Sequence, residues 1–191
     1  MKKIILGSAS PRRRELLAQI GVEFTVTVSH KEEYYESTAP EDIVKELALM
    51  KAKNAASETE DLKDTVVIGA DTVVVLDDRI LGKPKDEEDA FEMLHSLQGR
   101  AHQVFTGTAL LIYDEHGDER IVSHAVKTDV YVHEMDDEEI RAYIESKEPM
   151  DKAGAYGIQG GFAAYIDKIE GDYYNVVGLP VSYLYQELKK I

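Results

Sequence analysis

The side chains best suited to chemistry fall in three stretches of the 191-residue sequence. The first is Thr65 to Leu76, TVVIGADTVVVL, where Asp71 interrupts a run of aliphatic and β-branched residues. A carboxylate in such a run costs several kcal/mol of desolvation unless it is paired, hydrogen-bonded or metal-bound. An aspartate at a strand end commonly caps a turn, but here the apolar run resumes directly after Thr72, so the chain does not turn. Asp71 therefore reads as a functional carboxylate on a rigid strand, with small neighbours leaving room for something to approach.

The second stretch is the N-terminal 14 residues, where Lys2, Lys3, Arg12, Arg13 and Arg14 precede the first acid, Glu15. Gly7-Ser8-Ala9-Ser10 reads as a tight loop, with Ser10 as N-cap and Pro11 as the first residue of a helix. The first turn then carries Arg12 and Arg13, where the helix dipole favours acids. Cations beside free backbone N–H groups make sense if an anion sits between them. Serine hydroxyls, helix amides and paired arginines together form a phosphate site. The third stretch is Pro149 to Gly161, PMDKAGAYGIQGG, in which four glycines interleave with Asp151, Lys152, Tyr156 and Gln159. Such a loop lets backbone approach a ligand closely.

Lys83, fixed between Gly82 and Pro84, adds a loop cation that could face Asp71 across a cleft. Glu32 and Glu33 are paired acids in a loop, and taken alone they read as solvated. Carboxylates beside phosphate oxygens repel unless a divalent cation mediates. Magnesium is the natural choice, with manganese or cobalt as alternatives, and a bound water could serve as nucleophile. The six histidines show no metal-ligand spacing, and no HExxH, Walker-type loop, GxSxG or full GxGxxG occurs.

The elements that must carry these residues follow from periodicity. Ile4 to Leu6 predicts a short strand, and Leu16, Leu17 and Ile20 the buried stripe of a helix ended by Gly21. Alternation over Phe24 to Val28 predicts another strand. Pro40 opens a helix to about Ser57 with Ile43, Val44, Leu47, Met50 and Ala55 inward; Lys51 and Lys53 near its end suit the dipole without further role. The Asp71 run predicts a strand buried on both faces, followed by Ile80-Leu81. Asp86 to Leu97 predicts a helix. Long strands are expected near His102 to Tyr113 and Arg120 to His133, as a half-solvated antiparallel pair. A helix over Asp136 to Ser146, a strand over Phe162 to Ile169 and a helix over Val181 to Lys190 complete an α/β chain.

Length suits one domain, or one domain with two lobes, spanning residues 1–191 with no clear linker. No window approaches 18 uncharged apolar residues, which excludes a spanning helix, and the apolar part of the first residues is too short for a signal-peptide core. The absence of cysteine excludes disulfides, thiolate metal sites and a cysteine nucleophile, and is compatible with the cytoplasm. A net charge of −15 argues against non-specific nucleic-acid binding.

Four motifs, SASPRR (Ser8 to Arg13), GADT (Gly69 to Thr72), GKP (Gly82 to Pro84) and DKAGAYGIQG (Asp151 to Gly160), occur in order over essentially the whole chain. Together they resemble the Maf family of nucleoside triphosphate pyrophosphatases, also described as septum-formation inhibitors. The resemblance implies an elongated mixed α/β fold with two lobes around a cleft, akin to the inosine triphosphate pyrophosphatases. It also implies cleavage between the α- and β-phosphates of a nucleoside triphosphate. By the same resemblance Ser8, Arg12 and Arg13 form the phosphate loop, Asp71 is the catalytic acid residue, and Lys53 and Lys83 are cleft lysines. Glu33 becomes a metal-ligand candidate with Asp71, while Glu32 departs conservatively from the family's Asp-Glu. Arg13, Thr72 and Gln159 match the branch resembling dTTP and UTP pyrophosphatases. The expected partner is a small nucleotide, with no nucleic acid or membrane and with room for a homodimer. The other reading is a nucleotide-binding regulator of septum formation that needs no turnover.

Overall fold

Residues 2–191 are described by a computed structural model. In chain order they form β1 (Lys3–Leu6), α1 (Pro11–Gln19), β2 (Thr25–Val26), α2 (Pro40–Ser57), β3 (Thr65–Leu76) and β4 (Arg79–Leu81). These are followed by α3 (Glu87–Leu97), β5 (Ala101–Tyr113), β6 (Glu119–Val132), α4 (Asp137–Glu145) and β7 (Ile166–Glu170). Two short helices, α5 (Tyr173–Val177) and α6 (Val181–Leu188), complete the chain. The strands make one mixed sheet in the order β2-β1-β3-β5-β6-β7, with β4 antiparallel to β3. The fold is thus the expected α/β sheet with helices on it. No helix among the described residues is long and apolar enough to cross a membrane.

Contacts divide the chain into two units. The first comprises Met1–Asp71, Thr106–Val126 and Gly178–Ile191, and the second Thr72–Phe105 and Lys127–Val177. In the first unit, α2 lies almost in contact with the sheet backbone. A Cβ added at Gly69 of β3 would sit 2.1 Å from the Ala48 carbonyl oxygen, and one at Gly107 of β5 2.2 Å from that of Val44. Small residues on the helix, Ala48, Ala52, Ala55 and Ala56, complete the fit and pack with Ile5, Val67, Ala109 and Leu111. Bare strand backbone against an alanine face lets helix and sheet approach more closely than side chains on both would allow.

That covering helix explains one departure from the expected pattern. β5 is buried at every position from Thr106 to Tyr113, not half-solvated. β6 does alternate over Thr128, Val130 and Val132, as expected. The strand expected over Phe24 to Val28 shrinks to Thr25–Val26.

In the second unit, α3 is capped by Asp86, whose carboxylate accepts the Asp89 N–H at 2.8 Å. α4 opens on a reciprocal capping box between Asp136 and Glu139. Phe162 is fully buried among Tyr143 and Tyr156, at ring separations of 5.2 and 4.7 Å. This anchorage corrects the strand expected over Phe162 to Ile169. Gly161–Tyr165 coils into a 3-10 turn that drives the Phe162 ring inward, and pairing with β6 begins only at Ile166. Pro149 to Gly161 is likewise more ordered than a loop, with 3-10 turns at Glu148–Asp151 and Ala153–Ala155. The short helix α5 went unforeseen; Asp172 starts it by accepting the Tyr174 N–H at 2.8 Å.

Candidate active site

β1 and β3 run parallel with Leu6 opposite Ile68, so β1 stops there at its carboxyl end while β3 runs on through Asp71 to Leu76. Ligands of open α/β sheets collect beyond that end. The Gly7 N–H bonds the Ile68 carbonyl at 2.7 Å, which extends the parallel pairing by one residue and keeps Ser8 near the segment leading to Asp71. Gly7 has no room for a side chain, because a Cβ there would meet Ala55 at 2.9 Å and the Lys51 carbonyl oxygen at 3.1 Å.

Ser8 is buried, and its hydroxyl accepts from the Ser10 N–H and from Arg13 Nη1, each at 3.3 Å. Ser10 holds the N-cap position of α1 without a side-chain cap, and the first turn has no acid, as anticipated from its arginines. Arg13 is fixed at its other edge, where Nε donates to the Gly178 carbonyl at 2.8 Å. Burial holds the Arg13 pKa below its ordinary value, partly offset by the carboxylates of Asp71 and Glu33, while Arg12 adds to the lowering. A guanidinium stays charged at any working pH. The result is an oriented cation beside a buried hydroxyl at a helix start.

Asp71 sits on β3 in the same unit with little of its carboxylate exposed. Its Oδ1 accepts from Lys51 Nζ at 2.6 Å, and the same ammonium lies 3.2 Å from Glu33 Oε2. One cation thus joins two carboxylates from different parts of the sequence. The lysine that does this is not Lys53, which is exposed. Helical spacing carries the missed signal. Lys51 follows Leu47 and Ala48 by four and three residues and precedes Ala55 by four, so it continues the buried stripe of α2. Lys51→Ala is expected to lower kcat/KM for a triphosphate substrate about 10- to 100-fold, as for loss of a fixed charge at a reacting centre. Lys53→Ala should stay within about twofold, typical of a surface change. Equal losses in both would show that Lys51 has no special place.

Ser8, Arg12, Arg13, Glu33 and Asp71 therefore belong to the first unit, while Thr72, Lys83 and Gln159 belong to the second. There, Lys83 is exposed on a loop tied to the glycine-rich segment, since the Gly154 N–H bonds the Gly82 carbonyl at 3.0 Å. Gln159 is also exposed, between the buried Ile158 and Gly160. Arg14, for which sequence suggested no role, donates to the Ala9 carbonyl at 3.3 Å and so closes the Ser8 loop.

Comparison with known proteins shows the family of the chain. Residues 3–191 match the family model described as Maf-like protein. A protein of Lachnoclostridium phytofermentans named dTTP/UTP pyrophosphatase is 50% identical over 190 residues, covering 100% of this chain and 95% of its own. One of Agathobacter rectalis with the same name is 51% identical over 203 residues, covering 100% and 98%. Among solved structures, the Ham1 protein of Staphylococcus aureus aligns over 69% of this chain and 72% of its own, at 16% identity and a TM-score of 0.44. With the four motifs carried in order and the family match running from Lys3 to the last residue, the chain belongs to the Maf family.

Proposed function

We propose that the protein hydrolyses dTTP and UTP to the nucleoside monophosphate and pyrophosphate, assisted by a divalent cation. The observation that carries this reading is the Lys51 ammonium held between Asp71 and Glu33. Two carboxylates that converge on one positive charge are the donor set of a metal that takes one or two carboxylates and completes its shell with water and phosphate oxygen. Among the described residues no group of three or more acids or histidines is placed to hold a metal ion, so such an ion would draw further ligands from its substrate and water. The names carried by relatives at about 50% identity support the nucleotide and the bond cleaved.

In this reading, Arg13 and Ser8 bind phosphate oxygens, with Arg12 beside them at the first turn of α1. Lys51 engages one oxygen of Asp71, which fixes the carboxylate and leaves its second oxygen to accept a proton from an attacking water. Glu33 and Asp71 would hold the cation, magnesium foremost and manganese or cobalt as alternatives. When bound, it supplies charge neutralisation at the phosphates and a more acidic water. Thr72, Lys83 and Gln159 are the further substrate-binding residues of this reading. The Gln159 amide offers both donors and an acceptor for the O4 and N3–H edge of uracil or thymine. The protein acts on free nucleotides in the cytoplasm, without nucleic acid, as a monomer or a homodimer.

Incubation with dTTP and magnesium is expected to release dTMP and pyrophosphate in equal amounts. dTDP with orthophosphate would overturn the assigned bond. Binding of dTTP with no turnover in magnesium, manganese or cobalt would replace the enzyme with a nucleotide-binding regulator.

A further inference from the structure

The Gln159 turn is held by an acid that no part of the reaction uses. Residues Gly157 to Gly161 form a tight turn closed by the Gly160 N–H to the Gly157 carbonyl at 3.2 Å. Both of its edges are tied to a single carboxylate. Glu148 Oε2 accepts the Gly161 N–H at 3.1 Å, and Oε1 accepts the Tyr143 hydroxyl at 2.8 Å. The Tyr143 oxygen in turn accepts the Gly157 N–H at 3.2 Å. Tyr143 is buried, and burial together with its bond to Glu148 raises its pKa, so the phenol stays protonated and keeps donating.

The glycines fit this arrangement. A Cβ on Gly160 would lie 2.1 Å from Glu148 Oε1, and one on Gly157 would meet the Lys152 side chain at 2.8 Å. Lys152 itself donates to the Glu148 carbonyl at 2.7 Å, so the backbone under the carboxylate is also fixed. From below, Tyr156 and Ile158 are buried, and the Tyr156 hydroxyl meets His102 Nε2 at 2.7 Å. Gln159 alone faces outward from a turn whose other side chains point in or are absent.

We propose that Glu148, acting through Tyr143, is a positioning residue that sets the base preference of the enzyme by presenting Gln159 in one conformation. This rests on the reading that Gln159 contacts the base. A carboxylate suits the task because it accepts two bonds at once. A glutamine in its place has only one acceptor oxygen and turns an amide donor toward the other N–H or O–H. A turn that must be ordered on binding weakens each contact it makes, whereas a pre-ordered one does not. Site groups that hydrogen-bond a substrate edge also penalise the wrong base, because they are left unpaired.

The test measures kcat and KM of the full chain for UTP and GTP in Glu148→Gln, Tyr143→Phe, Gly160→Ala and Gln159→Ala. Glu148→Gln is expected to lower the UTP to GTP ratio of kcat/KM about tenfold, as for one lost hydrogen bond to a charged group. The loss should come mainly through KM for UTP, and Gly160→Ala should do the same by displacing the carboxylate. A merely structural defect would reduce the active fraction and lower both substrates alike, leaving the ratio unchanged. If Gln159→Ala collapses the ratio while the other three preserve it, the positioning role is wrong and the base reading stands. If Gln159→Ala itself preserves the ratio, the base reading fails and the positioning role with it. Should Glu148→Gln not fold, Tyr143→Phe and Gly160→Ala decide between these outcomes by the same ratio.

Discussion

Asp71→Asn is expected to lower kcat for dTTP at least about 100-fold, the lower range for loss of acid–base assistance. The side chain keeps its shape, so the middle of β3 accommodates it, and the thermal midpoint should move little. What changes is the charge between which Lys51 sits. The Lys51 ammonium keeps only Glu33 as an acidic partner, and the carboxylate that would receive a proton and share a metal is gone. Because Ser8 and Arg13 are untouched, KM should change far less than kcat. Near-normal turnover in this variant would move the chemistry to Glu33.

Gly69→Ala is expected to cost about 3 kcal/mol, at the top of the usual range for overpacking, or a fall in melting temperature of roughly 6–12 °C for a chain of this size. The reason is that the new methyl would lie 2.1 Å from the Ala48 carbonyl oxygen and 2.6 Å from the Ala52 nitrogen. Both are backbone atoms of α2, so no rotamer change relieves the clash and the helix must shift. Lys51 rides on that helix, and its 2.6 Å bond to Asp71 would be lost with the shift. Activity should therefore fall along with stability. Gly82→Ala is the matched control, because nothing lies within 4 Å of a Cβ there. Equal melting temperatures for the two variants would mean that α2 is not packed as closely as the structure has it.

How far the sequence foretold this arrangement depended on whether a residue's role was local. β3 was legible to its last residue, since twelve residues with one acid among aliphatics suit only a strand buried on both faces. α2 was legible because Pro40 marks its start and its apolar positions recur at helical spacing. β5 was misjudged because its pattern does not reveal that α2 lies over it; Gly107 was the only hint, and a lone glycine in a strand has several explanations. Phe162 to Tyr165 has the aromatic content of a strand, but the ring of Phe162 finds its place among Tyr143 and Tyr156, which are distant or irregular in sequence. Of the site, Ser8, Arg13 and Asp71 could be read from motifs that break local rules. Lys51 obeys its local rules as a cation in the last turns of a helix, and only its place on the buried stripe sets it apart.

The bond from Arg13 Nε to the Gly178 carbonyl joins positions 165 residues apart. Leu179, Val181 and Leu184 secure that carbonyl by burying the segment that follows it. A premature stop after Val177 would thus spare every residue of the four motifs yet leave Arg13, the proposed phosphate ligand, without the acceptor that orients it. In the interpretation of gene variants, such an allele counts as a lesion of the proposed anion site and not as the loss of a dispensable tail.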